Sequence, residues 1–174
     1  MKLTRRDALI ATATAGALGM AGVGASNLDG RSSGRSTLTI DDVETMEAVA
    51  EIVYPSEIET SVEFVEEYTA ELHVSRRRGI TAAIDDLDRA TRRNHGSRFA
   101  AFDHDQRTAL FRDLGVHRVQ PNSTGTVPER IRSYLVNGLL FALFTTPTGG
   151  ALVSIENPLG YPGEYEVGLR ESPS

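Results

Sequence analysis

The sequence predicts an all-α fold, a small bundle of about five helices with a Pro/Gly-rich extended C-terminal arm. Apolar residues recur at helical spacing in successive segments, most of them preceded by a capping residue. No segment alternates apolar and polar residues as a half-buried strand does. After Phe144 the helical pattern gives way to Pro147, Pro158 and Pro162 interspersed with Gly149, Gly150, Gly160 and Gly163.

The 174 residues fit one ordinary domain, and 40% of them are hydrophobic, enough for a core. Cysteine and tryptophan are absent. This excludes a disulfide framework, a thiol nucleophile, a cysteine-held iron–sulfur cluster and a cysteine-linked lipid. The net charge of -6 argues against phosphate-directed nucleic-acid binding.

Residues 1–25 form the first element. A basic start, MKLTRR, precedes the uncharged run ALIATATAGALGMAGVGA, weakly hydrophobic through its Ala and Gly and ending in small residues suited to cleavage. Arg5 and Arg6 stand side by side before that run, and T-R-R-D-A-L resembles the twin-arginine export signal. The resemblance implies export of a folded protein by the twin-arginine machinery. An ordinary secretory signal or a retained anchor is the alternative. Cleavage near Ala25 removes Lys2, Arg5, Arg6 and Asp7, leaving 23 acidic against 15 basic side chains, all of the latter arginine. Such an acidic, lysine-free surface is tolerated in salt-rich, halophilic surroundings, where screening weakens self-repulsion. Residues 26–38 are rich in Ser and Gly and read as a flexible tether.

Thr39 and Asp42 predict the start of the first helix, whose apolar face is Ile40, Val43, Met46, Val49, Ala50 and Val53, and Pro55 stops it. Thr60 and Glu63 predict a second cap, followed by Val65, Tyr68 and Leu72. Gly79 reads as a break, after which Ile80, Ala83, Ile84, Leu87 and Ala90 restart the pattern. Arg76–Arg78 and Arg92–Arg93 flank that helix and read as solvated ends. Asp103 and Gln106 cap a fourth helix that ends near Gly115. Thr126, Pro128 and Glu129 open the last one, whose stretch from Leu135 to Phe144 reads as central and mostly buried.

No pattern of catalysis emerges. The histidines His73, His95, His104 and His117 lack the spacing of a helical metal pair. Asp103 is better used as a cap than as a ligand. No G-x-S-x-G elbow, Walker loop or C-x-x-C-H is present. Glu57, Glu59, Glu63, Glu66, Glu67 and Glu71 read as solvated surface. Asn122-Ser123-Thr124 is an acceptor sequence for glycosylation in a loop. The segment 144–165 fits either a coil wrapped on its own helices or an arm that docks a partner.

Two stretches carry a family resemblance. One is A-V-A-E-I-V-Y-P-S-E at 48–57. The other is F-x-x-P-x-x-G-G, with Phe144, Pro147, Gly149 and Gly150, followed by the turn Gly160-Tyr161-Pro162-Gly163. Over about residues 39–165 the chain resembles subunit 3, the small subunit, of the gluconate 2-dehydrogenase family. It departs from that pattern at Thr146, where the family usually has Asp, at Ala151 in place of Asn, and near Ile155, where a Trp is usual.

The resemblance implies a non-catalytic exported subunit that binds, matures or escorts a large flavin-dependent dehydrogenase of the glucose–methanol–choline type. That enzyme would act on a sugar, sugar acid or alcohol. FAD would belong to this partner, and haem c to a third subunit or other membrane acceptor, with no cofactor or metal in the chain itself. The protein is then expected outside the cytoplasm, held at the membrane through its partners. Residues 39–165 form the domain, with the arm at 144–165 and a tail at 166–174. Phe144, Pro147, Gly149, Gly150, Gly160, Tyr161, Pro162 and Gly163 are the expected docking residues. A free-standing secreted helical protein and a carboxylate-based hydrolase are the alternatives.

Overall fold

Capping chemistry starts the first helix where the sequence places it. In the computed structural model, which describes residues 34–154 and 167–169, α1 spans Ile40–Val53. The Thr39 hydroxyl accepts from the Asp42 N–H at 3.2 Å, and the Asp42 carboxylate accepts from the Thr39 N–H at 2.8 Å. Two backbone donors that the helix leaves unpaired are thereby satisfied. Tyr54 ends the helix in extended backbone, as the residue before Pro55 must.

A two-residue strand, β1 (Ile58–Glu59), leads to α2 (Val62–Ala70). Ser61 caps α2 by accepting from the Phe64 N–H at 3.2 Å. The expected Thr60–Glu63 cap is therefore displaced by one residue, to a serine, which ranks above threonine as an N-cap. Next comes α3, an unbroken helix over Val74–His95 that ends on Gly96 with φ of 80°. Gly79, read as a break, lies inside it. A short 3₁₀ turn at Phe99–Ala101 leads to α4 (His104–Asp113), capped reciprocally by Asp103 and Gln106 as predicted. The chain then turns at Gly115, whose φ of 71° is closed to most other residues.

Thr126 and Glu129 open α5 (Val127–Ile131) with a capping box, and Pro128 sits harmlessly in its first turn. The helix continues without interruption through a π-helical stretch, Arg132–Val136, into α6 (Asn137–Thr145). A further helix, α7 (Pro147–Leu152), follows at once. Finally β2 (Gly168–Leu169) pairs antiparallel with β1, Ile58 opposite Leu169.

The core lies where α3 packs along α5 and the π-helical stretch, with α1 and α2 against them. Ile80, Ile84 and Leu87 of α3 are fully buried, as are Leu135, Leu139 and Leu143 from the long last helix. Burying one such side chain contributes about 1.5–3 kcal/mol. The Tyr54 hydroxyl crosses this core and donates to the Leu139 carbonyl at 2.8 Å. Its ring meets Phe64 edge-on at 6.3 Å. Gly79 is explained by the same packing: a Cβ there would fall 2.0 Å from the Tyr134 ring. Tyr134 has little room to yield, since the Arg76 guanidinium lies 5.1 Å over its ring.

Arginine–aspartate pairs hold the periphery. Asp86 is buried and accepts from Arg89 and Arg130. Asp88, also buried, accepts from Arg98 at 3.1 Å and from the Phe99 N–H at 3.0 Å. Arg35 donates to both oxygens of buried Asp42. Each buried carboxylate thus has several donors, the condition under which a buried charge is tolerated.

Three segments differ from expectation. The tether expected at 26–38 is held at its end: the Arg35 carbonyl accepts from Thr81, the Ser36 carbonyl from Arg77, and Leu38 packs on the core. Residues 26–33 lie outside the described residues. The extended arm expected from residue 144 is helical at its start, because a proline that cannot continue one helix can open the next. The tail contributes β2 and the buried Val167. A two-residue strand is too short to show alternation.

Candidate partner-docking surface

The F-x-x-P-x-x-G-G motif builds the corner between α6 and α7. Thr146 ends α6 in extended backbone, and its hydroxyl donates to the Leu143 carbonyl at 2.7 Å. The same oxygen accepts from the Gly149 N–H at 3.1 Å, which caps α7. Thr146 thus supplies the cap, although Thr ranks below Ser, Asp and Asn at that position. Pro147 occupies the first turn of α7, where its missing N–H costs nothing. Gly149 and Gly150 are buried. A Cβ at Gly149 would lie 2.0 Å from the Leu143 carbonyl oxygen, a backbone atom that cannot swing aside. Gly149 therefore serves close approach within the chain.

Phe144 is half-buried and packs against the core. Pro147 is exposed. Around them the corner presents side chains that sequence reasoning missed. Phe141 is 60% exposed, Leu152 43% and Val153 48%. Phe141 had been grouped with the buried stretch 135–144. A signal was available: exposed Asn137 stands one helical turn before it, on the same face. Phe141 thus stands exposed on α6, Leu152 at the end of α7 and Val153 just after it.

The remaining sequence-singled residues fall into ordinary roles. His73 Nδ1 accepts from the Ser75 N–H at 3.3 Å as the N-cap of α3. His95 meets the Phe102 ring edge-on, and His117 Nε2 accepts from Arg118 at 3.0 Å. Arg77 donates to the carbonyls of Ala70 and Leu72. The six glutamates of the acidic cluster are all exposed. Among the described residues no group of three or more His, Asp or Glu side chains could hold a metal ion. Asn122 is exposed, and its Oδ1 accepts from the Thr124 N–H at 3.0 Å and from the Thr124 hydroxyl at 3.1 Å. Arg5, Arg6, Gly160, Tyr161, Pro162 and Gly163 lie outside the described residues.

A family model, Gluconate 2-dehydrogenase subunit 3, matches residues 40–163. The chain belongs to the gluconate 2-dehydrogenase subunit 3 family. This is a family of non-catalytic accessory subunits. No curated protein and no solved structure matches the chain. The matched span starts at the first residue of α1 and includes the whole α6–α7 corner.

Proposed function

We propose that this subunit binds and escorts a large flavin-dependent dehydrogenase of the glucose–methanol–choline type, docking it through the α6–α7 corner and the segment that follows. The reading is supported by the exposure of Phe141, Pro147, Leu152 and Val153 along α6, α7 and the residue after it, with α7 capped by Thr146. FAD belongs to the large subunit, and haem c, where electrons leave through it, to a third. The partner's substrate is a sugar, sugar acid or alcohol. Export follows the twin-arginine route, led by Arg5 and Arg6, so that the partner travels folded and loaded. No helix among the described residues is long and apolar enough to cross a membrane. In this reading, attachment to the membrane runs through the partners.

Phe141→Asp tests the docking role. The side chain is mostly exposed, so the isolated subunit should melt within a degree or two of the parent. Co-purification of the flavoprotein should be lost. Unchanged co-purification by a folded variant would rule out the corner as the docking site. Tyr161→Ala extends the test: as a binding anchor it should cost about 2 kcal/mol, or about thirtyfold in affinity. A sharp loss of stability with normal binding would make that segment a clasp on its own helices.

A further inference from the structure

The end of α1, α4, the turn after Gly115 and the π-helical stretch line a hollow of about 270 Å³. Its construction follows from local chemistry. The αL turn at Gly115 folds the chain back, with the Gly115 N–H donating to the Arg112 carbonyl at 2.9 Å and the Val116 N–H to the Phe111 carbonyl at 3.2 Å. Val116 and His117 thereby come to face the end of α1 and the π-helical stretch. π-Helical turns cost hydrogen-bond geometry and are found disproportionately at functional sites. This one delivers Arg132 and Val136 to the cavity wall.

The floor is apolar, from Ile52, Phe111, Val116 and Val136, and the basic side chains Arg112, Arg132 and His117 also line it. No carboxylate lines the cavity, although the chain carries 24 acidic residues against 18 Lys and Arg. Elsewhere the cationic hollows contain their own acids, as where Asp85 stands among Arg89, Arg92 and Arg93. Arg112 has no side-chain partner among the described residues. Among the described residues Arg132 has only the Val116 carbonyl, at 3.5 Å. His117 Nε2 is occupied by Arg118, which leaves the ring proton on Nδ1 as a donor.

We propose that this cavity binds a small amphiphilic carboxylate. The carboxylate would sit between the Arg112 and Arg132 guanidiniums, whose planar donor forks match its geometry. A short hydrocarbon body would cover the Phe111–Val136 floor. At about 270 Å³ the hollow is smaller than most small-molecule sites, so a compact ligand fits it and a peptide does not.

Sodium octanoate titrated into the isolated full chain, followed by backbone amide NMR, tests the proposal. Saturable shifts are expected at Val116, His117, Arg132 and Val136, with octanol and inorganic phosphate each producing much weaker ones. Arg112→Gln should weaken octanoate binding about tenfold, the loss expected for one charge-assisted pair. Its melting temperature should match the parent's, because Arg112 bonds no described side chain. Arg132→Gln should act likewise, and Arg112→Gln decides the matter if Arg132→Gln unfolds. Equal binding of octanol or of phosphate would overturn the proposal, as would undiminished octanoate binding by Arg112→Gln. Shifts scattered over the surface without saturation would overturn it too.

Discussion

Gly79 gives the most discriminating test at the scale of single residues. In an exposed helix interior Gly→Ala stabilises by about 1 kcal/mol. Here the added methyl meets the Tyr134 ring, held by Arg76. Gly79→Ala should therefore destabilise by about 1–3 kcal/mol, the range for overpacking. Adding Tyr134→Ala should recover part of that loss; chemical denaturation of both variants checks it. Two carboxylates respond to acid in opposite senses. Glu129 accepts from the Thr126 N–H and hydroxyl, which holds its pKa below the usual 4.5. Its stabilising contribution is present above pH 4.5 and is lost as pH falls through the lower folded value. Glu47 is pushed up by burial and then by Glu51, so its charged form costs stability above pH 4.5. Thermal melts should show Glu129→Gln destabilised and Glu47→Gln stabilised at pH 7, both differences shrinking as the pH is lowered through the two folded values. Asn122 is a further point: in a host that glycosylates Asn-x-Ser/Thr sites, intact mass of the secreted protein should reveal one glycan, since the loop is exposed.

At the scale of elements, the corner has a structural half and a presenting half. Gly149→Ala should destabilise the isolated subunit by about 1–3 kcal/mol, because the methyl strikes the Leu143 backbone. Phe141→Asp should not. A melting curve for each, read beside co-purification, separates building the corner from using it. Most helix starts were legible in sequence, since Thr39–Asp42, Asp103–Gln106 and Thr126–Glu129 are local chemistry needing no knowledge of the rest of the chain. What was missed depends on distant partners. The helical setting of Gly79 is fixed by Tyr134, on a helix far along the chain. The pairing of Ile58 with Leu169 is equally long-range. Pro147 misled because a proline after a helix can mark either a loop or a new first turn. Thr146, its cap, was the local sign of the second. The docking candidates were legible only in part: the motif was visible, but Phe141 emerges only once the buried face of α6 is known.

Across the whole molecule, charge and assembly dominate. An acidic chain whose buried aspartates are held by arginine should gain stability as salt screens its surface, because buried pairs are screened far less. A melting temperature that rises between low and molar salt is expected, and a fall would mean that exposed ion pairs outweigh self-repulsion. Export belongs to this scale as well: Lys in place of both Arg5 and Arg6 should leave precursor inside the cell while the helical domain still folds. The central claim is that this chain works as one subunit of a flavin-dependent complex. Its most direct test is purification of the tagged, otherwise native chain from the extracytoplasmic fraction of its own cells, followed by native mass spectrometry and a flavin absorbance spectrum. The account predicts a stoichiometric complex with a larger FAD-containing protein that shows dehydrogenase activity. Recovery of the chain alone and flavin-free, beside a flavoprotein that is exported and active without it, would contradict the account.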